Sequence, residues 1–402
     1  MTHRFSAARL ERMRPVLGGY IDRGEIPGLV ALVAIGDDVH LETLGALSFG
    51  GAPIQRDTIF RIASMTKPIT AAAAMILVEE CRLRLDDPVD EFLPELANRK
   101  VLRQLDAVLD NVVPAKRAIT LRDLLTFRLG FGAVMVWPPA YPIQKAMDAA
   151  GLMPGPNPVD YTSDDFMKRL GALPLMHQPG ERWMYHTGSD VLGVLIERVS
   201  RKSLPEFLRE RIFEPLGMKD TDFHVPAEKR DRLATSYMRD EATNKVKVHD
   251  DPHTSRWAKP PWFASGGGGL VSPADDYFAF CRMILDGGKC AGTQILSPAS
   301  IELMTMDHLN DAQKQGMEIF FGDGSGGFKS GWGFGMGIDT KRVELFSVPG
   351  RFGWAGGLGT IAYSDPRENL VGILLTQRMM DSPFSPRVMT DFWTLAYQAI
   401  EK

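Results

Sequence analysis

Ser64-Met65-Thr66-Lys67 is the group of residues in this chain best suited to do chemistry. Residues three apart share a helix face, so the Lys67 amine can lie alongside the Ser64 hydroxyl. The pair follows Phe60-Arg61-Ile62-Ala63 and precedes the run Ala71–Ala74, whose helix propensity is high. Free amides at a helix start carry partial positive charge and stabilise an alkoxide or oxyanion. The same field, with burial, lowers a lysine pKa, so Lys67 would act as a neutral base. Pro68 is tolerated there, because its missing donor costs little in a first turn. The spacing alone recurs by chance, and its plain reading is an N-cap serine beside a surface lysine.

Two further stretches carry chemical potential. Trp183-Met184-Tyr185-His186-Thr187-Gly188 follows the Pro179-Gly180 turn and precedes a helix at Asp190. A tyrosine in such a loop can serve as a phenolate base or hydrogen-bond relay beside Lys67, or simply as a half-buried structural residue. Tyr185 suits the role better than its neighbour His186, which is expected to point elsewhere. Phe352-Gly353-Trp354-Ala355-Gly356-Gly357-Leu358-Gly359-Thr360 reads as an edge strand. Its glycines let a backbone approach a ligand, and one amide there could complete an oxyanion hole. Taken alone, the same stretch is a bulge or a bend.

In this order the three elements resemble the serine β-lactamase and penicillin-binding protein superfamily, in particular class C β-lactamases and family VIII carboxylesterases. Flanking phrases agree, among them Ile119-Thr120-Leu121-Arg122-Asp123-Leu124-Leu125-Thr126, Pro179-Gly180-Glu181 and Gly266 through Asp276. The resemblance implies Ser64 as nucleophile, Lys67 as its activating partner and Tyr185 as proton relay. It implies an oxyanion hole made by the backbone amides of Ser64 and Gly357. Two departures separate the subfamilies. The third position of the family's Tyr-x-Asn is Thr187, and its Lys-Thr-Gly reads Trp354-Ala355-Gly356, with no cation. Both favour a serine carboxylesterase that cleaves small carboxylic esters through an acyl-enzyme, with acyl transfer to alcohols as a variant. The alternatives are a class C-type β-lactamase or D-Ala-D-Ala peptidase, and a non-catalytic binding relative. Trp137, Tyr141, Trp262 and Trp354 are the expected lining of the substrate pocket.

The elements that must position these residues follow from composition and periodicity. The chain has 402 residues, 44% hydrophobic and 24% charged, which suits two or three globular units. A formal charge of −4 disfavours nucleic-acid binding, and three cysteines are too few for a disulfide scaffold. Neither a signal-peptide core nor an apolar run long enough for a bilayer is present, so a cytoplasmic enzyme free of the membrane is expected. No cofactor or metal is called for: Pro252 separates His249 from His253, which read as part of a solvated loop. Nothing in the sequence specifies an oligomeric state.

Residues 5–24 read as an amphipathic helix, Leu29–Ile35 and His40–Ala46 as a hairpin, and Ser64 to about Leu83 as a long helix. The middle is mostly helical, with an irregular, lid-like segment over 131–160 rich in proline and aromatic residues. Gly266–Gly269 reads as a chain reversal. Gly331–Gly337 alternates as one strand would, and Val343–Val348, Gly359–Ser364 and Leu370–Leu375 are strand-like. A closing helix covers Phe384–Lys402. The expected fold is α/β of the α+β type. An antiparallel sheet domain flanked by helices is built from 1–85 and 246–402, a mostly helical domain from 86–245, and Ser64 lies in the cleft between them.

Overall fold

The computed structural model describes residues 4–401 apart from 137, 156, 291, 316 and 326. Its centre is a seven-stranded antiparallel sheet assembled from both ends of the chain. Helix α1 (Met13–Asp22) precedes the hairpin β1 (Gly28–Ile35) and β2 (Asp38–Gly45). Two long helices follow, α2 (Thr66–Glu79) and α3 (Thr187–Ser200), then α4 (Ala274–Leu285). The C-terminal part supplies β3 (Ser330–Trp332), β4 (Gly337–Asp339), β5 (Phe352–Gly356), β6 (Thr360–Asp365), β7 (Leu370–Thr376) and the helix α5 (Arg387–Gln398). The spatial order is β3-β4-β5-β6-β7-β1-β2.

Every residue of β1 and β7 is buried, which is why both read as continuous apolar runs. One face of the sheet packs on α1 and α5 through Met13, Leu17, Phe392 and Trp393. The other face packs on α4 and the large core that surrounds α2. Helix α2 is apolar around most of its circumference and is buried over Thr66–Leu77, as such a pattern requires. Among the described residues, no helix is long and apolar enough to cross a membrane.

Several elements differ from the expectation. The first helix breaks in two at Glu11-Arg12. Gly331–Gly337 is not one strand: Gly333 N–H bonds to the Met336 carbonyl, and Gly335 turns at φ 71°, making the hairpin β3–β4. A Cβ at Gly335 would lie 2.7 Å from the Lys67 carbonyl, so glycine there lets the turn rest on α2. Val343–Val348 forms no strand. The segment 131–160 contains the helix Pro142–Ala149, and Phe131, Ile143 and Met147 are core residues rather than a loose cover. His249 lies on the strand Val246–Asp250, whose last residue is buried against Arg61, while His253 sits in the exposed turn that follows, so only the second half of this stretch is the expected solvated loop. Of the cysteines, Cys281 is buried while Cys81 is exposed.

Candidate active site

Phe60–Arg61 enters the site as a short strand paired with Val271–Ser272. Arg61 is held there by the buried carboxylate of Asp250 and the Ala234 carbonyl. The chain then tightens into a 3-10 turn over Ala63–Met65 that runs directly into α2. Ser64 thus sits inside this turn and does not cap the helix. Ala63 takes φ 44°, a left-handed conformation uncommon for a residue with a side chain. The Thr66 hydroxyl donates to the Ala63 carbonyl at 2.7 Å and receives the Leu270 N–H, locking the turn.

One turn on, Lys67 is wholly buried, not a surface charge. Its Nζ lies 2.8 Å from Ser64 Oγ, donates to the Gly267 carbonyl at 2.5 Å and lies 3.2 Å from His186 Nδ1. Burial pushes its pKa down to about 7, against a smaller opposing pull from Asp190. An amine with that pKa is a competent base near neutral pH.

Tyr185 arrives from the opposite side. Its phenol shares a hydrogen bond with Ser64 and accepts the Trp354 indole N–H at 2.7 Å. Its ring lies 4.6 Å from Lys67 Nζ and packs among Trp183, Phe320 and Trp354. Burial raises the phenol to about 12, and its contacts with Ser64 and Trp354 only partly oppose this. Tyr185 is therefore a neutral phenol at neutral pH, suited to relay a proton rather than to act as a standing phenolate.

His186 does not point elsewhere. It adopts φ 81° and ψ −64°, the strained form of the γ-turn, with the Thr187 N–H bonded to the Tyr185 carbonyl at 3.2 Å. A residue held this way costs on the order of 1–3 kcal/mol and persists only where its surroundings impose it. Here the turn aims the imidazole at Lys67, and Nε2 meets Asp190 Oδ2 at 3.1 Å. Adjacency to Tyr185 was the only sequence signal for this role; the four-residue spacing to Asp190 could have supplied a second. Gly266–Gly269 is a turn, as expected, but it also lends the Gly267 carbonyl to Lys67 and the Gly267 N–H to Asp190.

A cavity of about 610 Å³ opens over Ser64 and is lined by Tyr185, His186, Phe320, Trp354 and Gly357 among others. Strand β5 forms one wall. It pairs with β4 only at Phe352 and Gly353, so its edge from Trp354 onward is open. The lining includes Trp354 on one sheet face and Ala355, Tyr363 and Trp393 on the other, so the space wraps around that edge. A second cavity of about 340 Å³, lined by Thr187, Tyr161, Phe166 and Phe263, adjoins it at His186 and Gly268.

The expected pocket aromatics fare unevenly. Trp354 lines the main cavity. Tyr141 instead opens the Pro142–Ala149 helix and is half-buried away from both cavities. Trp262 is 68% exposed, because its neighbour Phe263 takes the inward place, stacked 4.8 Å from Phe166. Trp137 lies outside the described residues.

Comparison with known proteins settles the lineage. A family model described as Beta-lactamase matches residues 13–389. The chain belongs to the β-lactamase family. Among relatives of this β-lactamase-family protein, an uncharacterized protein of Mycobacterium tuberculosis (strain CDC 1551 / Oshkosh) is 40% identical, the match covering 82% of this chain and 80% of that protein. Lovastatin esterase of Penicillium rubens is 30% identical over 92% of this chain and 93% of its own. The solved structure of EstCE1, described as a hydrolase with promiscuous acyltransferase activity, superposes with a TM-score of 0.80. At 24% identity it covers 97% of this chain and 99% of that one, and shares the fold. This member is thus a β-lactamase-like hydrolase with an esterase among its relatives.

Proposed function

We propose that the protein is a serine carboxylesterase acting on small, largely apolar esters. The observation that carries this reading is the 2.8 Å contact between Ser64 Oγ and a fully buried lysine whose pKa lies near 7. As the Ser64 oxygen bonds to the ester carbonyl carbon, its proton passes to the Lys67 amine. The carbonyl electrons move onto oxygen, where the amides of Ser64 and Gly357 would receive them. Collapse expels the alkoxide, which takes a proton through the Tyr185 phenol from Lys67. Water, or an alcohol in the transfer variant, then attacks the acyl-enzyme by the reverse proton path.

Trp354 favours esters over β-lactams. It occupies the position where the family carries a cation for the β-lactam carboxylate, and its N–H is spent on Tyr185. The esterase relative agrees with this reading. The decisive experiment is a panel of p-nitrophenyl esters and nitrocefin, run on the wild type and Ser64→Ala. Rapid ester turnover, lost in the variant together with the mass adduct of a slow phosphonate, is expected. Preferential nitrocefin hydrolysis would replace the esterase with a β-lactamase; wild-type turnover by Ser64→Ala, or no acylation at all, would reject it.

A further inference from the structure

The contacts of Lys67 can be resolved into donors and acceptors. Asp190 stands one helical turn beyond His186 and is itself buried. Its Oδ1 accepts the Ser265 hydroxyl at 2.6 Å and the Gly267 N–H at 2.9 Å, leaving Oδ2 for His186 Nε2. Burial works against the Asp190 charge, but His186 and these donors together hold its pKa below the usual carboxylate value. A carboxylate can only accept, so the imidazole proton belongs on Nε2 and Nδ1 keeps a lone pair. That lone pair faces Lys67 Nζ. The Gly267 carbonyl also can only accept.

A neutral amine has two N–H bonds and one lone pair. Two obligate acceptors, Gly267 O and His186 Nδ1, take both N–H bonds. The remaining neighbour is Ser64 Oγ, and the lone pair must point there. We propose that His186, fixed by Asp190, is a positioning residue that holds one N–H of the Lys67 amine and thereby turns its lone pair onto the Ser64 hydroxyl.

The proposal rests on the serine-hydrolase reading and adds no proton transfer to it: the Ser64 proton still goes to Lys67, while Asp190 stays ionised and His186 neutral. The backbone supports it independently. The strained γ-turn at His186 aims this ring at Lys67, and a Cβ at Gly267 would sit 3.0 Å from both Asp190 Oδ1 and His186 Nε2. The charged groups facing His186 are Lys67 from α2 and Asp190 from α3. The neutral phenol of Tyr185 stands beside it, and that of Tyr161 lines the same second cavity.

The test measures kcat, KM and the pH profile with p-nitrophenyl butyrate for Asp190→Asn, His186→Leu and His186→Gln, with thermal melting to check folding. In Asp190→Asn the new carboxamide would donate to Nε2 and force the imidazole proton onto Nδ1, opposing Lys67. A kcat loss on the order of 10²–10⁴-fold with KM little changed is expected, as when a catalytic histidine is held in the wrong tautomer. His186→Leu should lose about 10–100-fold, and His186→Gln, which retains an acceptor, should recover at least about tenfold of that. Should His186→Leu not fold, the inference still requires His186→Gln to exceed Asp190→Asn. Wild-type kcat and an unmoved acid limb in Asp190→Asn and the His186 variants would overturn the positioning role. Ser64→Ala distinguishes the levels: if it is dead while these variants are fully active, the inference alone fails, and if it is active, the reading beneath fails.

Discussion

In the proposed mechanism Lys67 serves Ser64 only when its amine carries no proton, and burial brings that condition within reach of neutral pH. The kcat/KM for an ester should therefore be level above about pH 8 and fall about tenfold per unit below pH 7, as the amine, at about 7, protonates. The same shift makes a statement about stability. The free lysine value is 10.5 and the folded one about 7, so between them the unfolded chain binds more protons. Stability contributed by this site should rise with pH across that window. Lys67→Met should flatten this part of the profile, raise the melting temperature at pH 7 and abolish ester turnover. A profile without an acid limb near pH 7 would remove Lys67 as the base. At this scale Ser64, Lys67 and Tyr185 were legible because each is a reactive type in a distinctive local setting. His186 was not, because its orientation depends on a positive φ that no neighbouring residue type announces.

At the scale of elements, the site depends on how closely β5 approaches the Ala63–Met65 turn. A Cβ at Gly356 would lie 2.2 Å from the Ile62 carbonyl, which also receives the Thr360 hydroxyl at 3.2 Å. Gly356→Ala should push the strand outward and withdraw the Gly357 amide from the oxyanion. Loss of one such donor is worth about 10²–10³-fold in kcat, so a change of that order, with the protein still folded, is expected in steady-state kinetics. An unchanged kcat would mean that Gly357 does not serve the oxyanion. Elements were readable where burial on both sides left an unbroken apolar run, as in β1, β7 and α2. They were misread where period was ambiguous. Strict alternation over Gly331–Gly337 looked like one strand, yet Gly335 converts it to a hairpin seated on α2.

For the whole molecule, the proposed esterase would draw its substrate choice from the space around the open edge of β5. The part of the cavity behind the sheet is lined by Tyr363, Met389, Trp393 and the largely exposed Phe384. An acyl chain passing around the edge would lie against these side chains. Phe384→Ala should lower the ratio of kcat/KM for p-nitrophenyl decanoate over acetate by roughly fivefold, the effect of about 1 kcal/mol of lost apolar contact. An unaltered ratio would mean that the acyl group does not use this region.

By itself the sequence determined the class of fold, the family and which three side chains to bring together. The elements depend on apolar periodicity and helix propensity, which act within a few positions along the chain, while the family rests on the resemblance of an ordered set of motifs. Only the tertiary structure decided that Asp190, Gly267 and His186 converge on Lys67, and that Trp354 bonds to Tyr185 while Trp262 faces solvent. Those facts arise from segments more than a hundred residues apart meeting in one desolvated place, where a buried donor left without an acceptor is costly.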